Sequence, residues 1–238
     1  RRIDHIIEIA VKVLCFETLS GKILSIEGSY ESFNDPEEDI STEITLLTGI
    51  ENKMVDGKII DWNEVDSLFQ GVDIIIAHNA SFDRAFIDRF SSNSPSKIWA
   101  CSISDIDWLK RGFTSSKQEL LCYWHGFYFD AHRAMNDVDA LIHLLTFDTG
   151  LERPLLELIK NSNKSEFVIY AEHFKYDPFK KDILKGNKYR WNPNDKIWFK
   201  KVNLDELEHE KDWLTATIYD QVFKGRVEEI IPSNKYKL

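Results

Sequence analysis

The chain has 238 residues, with 40 acidic against 30 basic side chains for a formal net charge of -10, and is 43% hydrophobic and 13% aromatic. That apolar content excludes a wholly disordered chain, and apolar runs such as Ile74-Ile75-Ile76-Ala77 fall far below the roughly 20 residues that span a bilayer. The expected molecule is globular and soluble, without membrane association, built as one large domain or as a medium domain with an appendage.

From Ile6, the pattern IIEIAVKVLCF, a break at Leu19-Ser20-Gly21-Lys22, and then ILSIEGSYESF read as an antiparallel hairpin. Ser41 to Thr48 reads as a short helix. Asp61 to Glu64 opens another with a capping-box-like pattern, ending near Gly71. Asp73 to His78 is a short apolar strand of the kind buried in a sheet centre. Phe82 to Phe90 is predicted helical, Lys97 to Cys101 a strand, and Ser104 to Arg111 and Lys117 to Trp124 helices. A helix from near His132 to about Phe147 carries Val138, Leu141, Leu144 and Leu145 on one side. Strands interleaved with helices imply a mixed α/β sheet.

Leu151-Glu152-Arg153-Pro154 marks a junction, which predicts domains over 1–150 and 151–238. Beyond it come a helix to Asn161, a strand over Glu166 to Ala171, a short helix over Pro178 to Lys185 and a hairpin over Lys188 to Val202. Asn203 then caps a long helix through about Phe223, striped by Leu207, Leu214, Ile218 and Val222. The two parts differ in charge. Residues 1–150 hold 13 Lys/Arg and 25 Asp/Glu, a net of -12, whereas residues 151–238 hold 17 and 15, a net of +2. Within the second part, residues 173–201 have nine Lys/Arg against three Asp, so the net acidity does not exclude a nucleic-acid partner. Cys15, Cys101 and Cys122 lack the paired spacing of a zinc site or disulfide framework. They read as buried thiols in a reducing, cytoplasmic compartment.

Two segments carry chemistry. In Ile76-Ala77-His78-Asn79-Ala80-Ser81-Phe82-Asp83 a buried strand ends in a polar turn and hands over to a helix, the place where ligand sites of α/β sheets gather. In His132-Arg133-Ala134-Met135-Asn136-Asp137 a histidine precedes an aspartate by five positions at the start of an apolar helix. Each alone is also ordinary helix punctuation, since an acid in a first turn complements the helix dipole. Together they fit phosphodiester cleavage assisted by divalent ions: Asp83 and Asp137 supply hard oxygens, and His132 supplies a base that titrates near neutrality.

With these residues in place, the sequence resembles the DnaQ-like 3'-5' exonucleases of the DEDDh type. IIEIAVKV over residues 6–13 looks like that family's second strand, and ISTEITLLTGIENKMV over 40–55 like its Thr-Gly-Ile segment. IAHNASFD resembles its second exonuclease motif and HRAMNDVDA its third, so the likeness covers about residues 3–148. It implies an RNase H-like mixed sheet flanked by helices, with a small α+β module following. It implies Asp83 and Asp137 as ligands of two Mg²⁺ or Mn²⁺ ions and His132 as general base. His78, Asn79 and Phe82 would lie along the substrate groove, although Phe82 reads equally as a core residue. Arg133 and Asn136 read as exposed helix residues ahead of phosphate contacts. The family's first motif, Asp-x-Glu on its first strand, is not reproduced by Asp4 or Glu8 and is expected upstream of Arg1.

The carboxyl-terminal part weakly resembles an extension of such exonucleases, with Lys180, Lys181 and Lys185 leading into a Tyr-Arg-Trp hairpin. Lys180, Lys181, Lys185, Lys188, Arg190, Trp191 and Trp198 are its candidate nucleic-acid contacts, with a mini-domain core as the other reading of the tryptophans. The expected activity is hydrolysis of single-stranded 3' ends, DNA ahead of RNA, to nucleoside 5'-monophosphates. The alternative is a catalytically inactive nucleic-acid-binding or scaffold protein that keeps the fold.

Overall fold

The computed structural model describes residues 5–148, 150, 152–219 and 221–237. Asp4 and the Leu151 end of the expected junction therefore lie outside the described residues. The chain forms two compact units, one running through Asn163 and taking in Tyr236, the other Lys164–Lys235. The division follows Asn163 rather than residue 150, because α7 (Pro154–Ser162) buries Leu155 and Leu158 in the core of the first unit.

The first unit opens with an antiparallel pair, β1 (Glu8–Phe16) and β2 (Ile23–Phe33), registered with Ile9 opposite Ser32 and Val11 opposite Tyr30. The turn between them needs a glycine. Gly21 takes a φ of +67°, and a Cβ there would stand 3.1 Å from Leu156 Cγ. Two short helices follow, α1 (Thr42–Thr48), whose first turn Ser41 caps, and α2 (Asn52–Val55). Then α3 (Trp62–Gln70) is capped by Asp61, whose carboxylate accepts the Asn63 and Glu64 amides. A parallel pair comes next, β3 (Ile74–Ala77) with β4 (Ile98–Cys101), linked through α4 (Ala80–Ile87). Helices α5 (Gln118–Trp124), α6 (Ala134–Thr146) and α7 complete the unit.

The expected mixed α/β architecture is present, with its strands in separate pairs: among the described residues no ladder joins β1–β2 to β3–β4. Shared cores tie both pairs together. On one side Ile9 and Val11 of β1 and Ile75 of β3 pack with Val65 and Phe69 of α3. On the other, Phe16, Ile74 and Ile76 meet Leu141, Leu144 and Leu145 of α6 and Leu155 and Leu158 of α7. The fully buried aliphatic side chains among them, Val65, Leu144 and Leu158, each contribute roughly 1.5–3 kcal/mol by leaving water.

Three expectations need correction in the first unit. Residues 104–111 form successive turns, not a helix. Asp105 turns its carboxylate back onto the Cys101 amide at 2.8 Å, and Trp108 donates its indole N–H to the Ser102 carbonyl at 2.7 Å. Ile106 and Trp108 are both buried, a spacing of two that no helix face offers. The helix expected from near His132 to about Phe147 runs from Ala134 to Thr146. Cys101 and Cys122 are buried, but Cys15 is exposed; its register partner on β2 is the exposed Ser25.

The second unit is a four-stranded sheet in the order β6–β7–β5–β8, from β5 (Glu166–Ala171), β6 (Arg190–Asn192), β7 (Ile197–Val202) and β8 (Arg226–Ile230). Helices α8 (Pro178–Gly186) and α9 (Leu204–Thr217) cover one face. The long helix stops at Thr217 instead of near Phe223: Thr215 and Thr217 turn their hydroxyls back onto carbonyls four residues earlier, at 2.8 and 2.6 Å, a habit that weakens helices. Val222 consequently lies off the stripe, 64% exposed. Strand β8 escaped the sequence because Arg226-Val227-Glu228-Glu229-Ile230 is a charged edge segment with little apolar alternation. Among the described residues, no helix is long and apolar enough to cross a membrane.

Candidate active site

Two helix beginnings build the site, both in the first unit. At the first, β3 ends and His78-Asn79 turn the chain into α4, with the Asn79 carbonyl accepting the Phe82 amide at 2.8 Å. That places Asp83 in the first turn of α4. At the second, Arg133 caps α6, the Asp137 amide bonds the Arg133 carbonyl at 3.0 Å, and Asp137 stands in the first turn. Helix dipoles favour both anions, yet burial opposes them.

Burial, with the charge of Asp137 beside it, pushes the Asp83 carboxyl up to about 6. Asp137 is likewise raised by burial and by the negative charges of Glu119 and Glu8, against a pull downward from the His132 amide and charge. Two half-buried carboxylates therefore repel one another, with two further acids adding to the field. That donor chemistry, hard oxygens in excess negative charge, suits a divalent cation. Among the described residues, however, no group of three or more His, Cys, Asp or Glu has metal-holding geometry, so the two aspartates alone do not make such a site.

His132 belongs to the same cluster. It lies in the turn before α6 with a φ of +67°, a conformation that costs a non-glycine residue on the order of 1–3 kcal/mol and survives where surroundings impose it. Its amide donates to Asp137 Oδ1 at 3.4 Å, and its exposed ring presents Nε2 3.9 Å from Glu119 Oε1.

What imposes the turn is Glu8, at the start of β1. Its carboxylate accepts Arg133 Nη2 at 2.9 Å, Arg133 Nε at 3.2 Å and the Ala134 amide at 2.8 Å, capping α6 from another element. The sequence places Glu8 in the IIEIAVKV strand outside the Asp-x-Glu motif and gives no sign of this role, for which a strand glutamate offers no spacing signal. Arg133 is engaged by Glu8, and Asn136 stitches the turn by donating to the Asp130 carbonyl at 3.0 Å. Gln118 of α5 steadies the other side, donating to the Asp137 carbonyl at 2.6 Å.

The remaining groove candidates lie in the turn and first helical residues just before Asp83. Phe82 is 61% exposed, which removes its core reading, and Asn79 is exposed beside it. His78 is half-buried; its Nδ1 lies 2.7 Å from Ser102 Oγ, and burial pushes its pKa down to about 4, with the Ser116 backbone pulling the other way. It is a neutral imidazole near pH 7. The Cys122 thiol is pushed up to about 12 by burial, aided by the Asp137 and Glu119 charges, and is inert.

Of the second unit's candidates, Lys181, Lys185, Lys188, Arg190 and Trp191 stand at its surface to differing degrees. Lys180 donates to the Ile218 carbonyl at 2.7 Å, beyond the end of α9. Trp198 is 8% exposed and packs with Ile169, Ala171 and Leu184, so it is core and has no face for a base. Trp191, its register partner, is 46% exposed at the sheet edge.

A family profile described as Exonuclease, RNase_T, matches residues 2–145. No curated protein matches the chain. Among solved structures, the chain is similar to a full-length 3'-exonuclease at 19% identity over 62% of this chain, with a TM-score of 0.47; the match spans about half, 54%, of that protein. It is also similar to Exonuclease X in complex with 5' overhanging duplex DNA, at 23% identity over 63% of this chain and 90% of that one, with a TM-score of 0.41. A 3'-exonuclease described in specific recognition of a histone mRNA stem-loop gives 13% identity over 59% and 79%, with a TM-score of 0.39.

Proposed function

This chain belongs to the RNase_T exonuclease family, and on that premise we propose that it hydrolyses the terminal phosphodiester at nucleic-acid 3' ends, releasing nucleoside 5'-monophosphates. The observation that carries the reading is the pair of mutually repelling carboxylates, Asp83 and Asp137, at two helix beginnings beside the His132 turn. Asp83 and Asp137 would hold Mg²⁺ or Mn²⁺; such an ion, when bound, neutralises charge on the phosphate and lowers the pKa of the attacking water. His132 takes the proton of that water as the new O–P bond forms and the P–O3' bond breaks, the departing O3' taking a proton from solvent to leave a 3'-hydroxyl on the shortened strand. Its exposed ring reaches solvent and substrate, while its backbone is tied to Asp137. Phe82 offers a face to the terminal base, and His78 and Asn79 line the loop beside it. His78 is neutral near pH 7 and so contributes hydrogen bonding, not charge.

Single-stranded DNA is the substrate proposed first, acted on in the cytoplasm, where three unpaired thiols are at home. The second unit acts as a separate module that holds the strand through Lys181, Lys185, Lys188, Arg190 and Trp191, with Trp198 in its core. One observation favours the second reading, an inactive nucleic-acid-binding scaffold: among the described residues, Asp83 and Asp137 are joined by no third metal-holding group.

The deciding experiment is digestion of end-labelled single strands with free or blocked 3' ends, in Mg²⁺, Mn²⁺ or EDTA. The expected result is metal-dependent, stepwise release of 5'-monophosphates from free ends only. His132→Ala should lower the rate by about 10² to 10⁴, and a loss below about tenfold removes His132 as the base. An inert wild type that still binds oligonucleotides in a salt-dependent way establishes the scaffold reading instead.

A further inference from the structure

The second unit runs β5-α8-β6-β7-α9-β8 in sequence, and every neighbouring strand pair of its sheet is antiparallel. Both helices pack on one face, over a core that holds Ile169, Ala171, Trp198 and Val202. Side chains alternate across a strand, so the residues between these point to the opposite face. One row crosses all four strands there: Arg190 of β6 registers with Phe199 of β7, Phe199 with Tyr170 of β5, and Tyr170 with Arg226 of β8. None of the four packs into the core under the helices.

The Phe199 and Tyr170 ring centres lie 6.5 Å apart, side by side on the two central strands. The Tyr170 hydroxyl donates to Glu228 Oε2 at 3.1 Å. The Arg226 guanidinium lies over the Tyr170 ring at 3.8 Å, held by Glu172 and Glu228 at 3.0 and 3.1 Å. Those acids answer its charge, so what Arg226 contributes is a plane, with its side chain 51% exposed. Positive charge enters from the β6 end. Arg190 is exposed, as are Lys188 just before it and Lys196 in the turn to β7, and none of these three side chains has a hydrogen bond or ion pair among the described residues. Asp195, the acid of that stretch, accepts Asn192 Nδ2 at 2.6 Å. A cross-strand aromatic pair by itself adds roughly 0.2–1 kcal/mol to a sheet, but that does not account for a cationic edge beside it.

We propose that this row binds single-stranded nucleic acid, with one base on the Phe199 ring, a second on the Arg226 plane over Tyr170, and Arg190 on the phosphate backbone. Four-stranded sheets with aromatic side chains on a face bare of helices stack bases in this way. Planes beside unpaired cations suit bases and phosphates better than a protein surface. The proposal rests on the reading of the second unit as the module that holds the strand, and is independent of catalysis. It gives that module a further face: Trp191 registers with Trp198 and so lies on the helix side, opposite Phe199.

The test measures binding of labelled single-stranded 12-mers, DNA and RNA, to the full chain by fluorescence anisotropy in EDTA. An abasic 12-mer controls for phosphate contacts alone. Phe199→Leu, which keeps apolar bulk and loses the plane, should weaken the tighter-binding 12-mer about tenfold, and Phe199→Tyr should bind as wild type does. Phe199→Leu should leave the abasic strand unchanged. Arg190→Glu should weaken both strands and flatten the salt dependence. Full affinity in both Phe199→Leu and Arg190→Glu, or an equal loss on the abasic strand in Phe199→Leu, overturns the row. A loss in Trp191→Ala with none in Phe199→Leu also overturns it, while leaving the second unit as the strand-holding module. A wild type that binds no 12-mer ends both readings.

Discussion

The two units treat charge in opposite ways. In the second, the buried Glu210 takes Lys200 Nζ at 2.6 Å and Asn187 Nδ2 at 2.8 Å, and the exposed Arg226 meets Glu172 and Glu228 at 3.0 and 3.1 Å while lying over Tyr170. In the first unit, Asp83 and Asp137 are half-buried with raised carboxyls, Asp83 partly through the charge of Asp137, and His78 is half-buried with its pKa pushed down to about 4. Unanswered electrostatics costs stability, and a fold retains it where function needs it. The -12 of residues 1–150 is thus not a repellent coat alone. Part of it converges on one spot, where a bound cation would reverse its sign.

If the second unit is held by its core, its stability should rest on packing. Trp198→Ala should cost about 3–5 kcal/mol, whereas Trp191→Ala, at the exposed edge of the same register pair, should cost under about 1 kcal/mol. Hydrogen exchange at the β5 amides Ile169 and Ala171 would report both. Equal costs would mean that Trp198 is not the core residue its burial indicates.

If the first unit's site is electrostatically strained, its stability should carry two opposing pH dependences. Asp83 has a raised folded pKa, so the folded state holds a proton that the unfolded state releases. Its contribution is present at low pH and is lost as pH rises from about 4 to about 6, on the order of 3 kcal/mol. His78 has a depressed folded pKa, so the unfolded state binds a proton first, and stability falls by a similar amount as pH drops from 6.5 to about 4. The two nearly cancel in wild type. Urea unfolding across pH 4–7 should show Asp83→Asn losing stability on acidification and His78→Gln gaining it. Parallel profiles for all three proteins would contradict the strained-site description.

Much of this is legible in the sequence. Asp83 and Asp137 stood out because each sits at a helix beginning in a polar turn, and His132 because it precedes one of them. Strand β5, the β1–β2 hairpin and the tryptophan hairpin were readable from alternation, a local property. What stayed hidden was tertiary. The turns at 104–111 depend on Asp105 bonding back to Cys101, and β8 exists through pairing with β5 despite its charges. Trp198 and Trp191 look alike in sequence, and only the helices over one sheet face separate them. Phe199 and Tyr170 lie on separate strands, so their register left no pattern to read.

Glu8 separates strain from anchorage most finely, because it adds negative charge near Asp137 while holding the turn that carries His132. Glu8→Ala relieves repulsion but frees Arg133 and the Ala134 amide. If anchorage dominates, kcat should fall about 10- to 100-fold, the usual consequence of removing a partner that orients a site residue, with KM within about twofold and faster hydrogen exchange at the Ala134 amide. Glu8→Gln keeps an acceptor for that amide and should lose less. Arg133→Ala should resemble Glu8→Ala, and the double variant should be little worse than either, since both remove one interaction. Additive losses in that cycle, or a kcat raised by Glu8→Ala, would show that the glutamate acts through its charge rather than through the turn it holds.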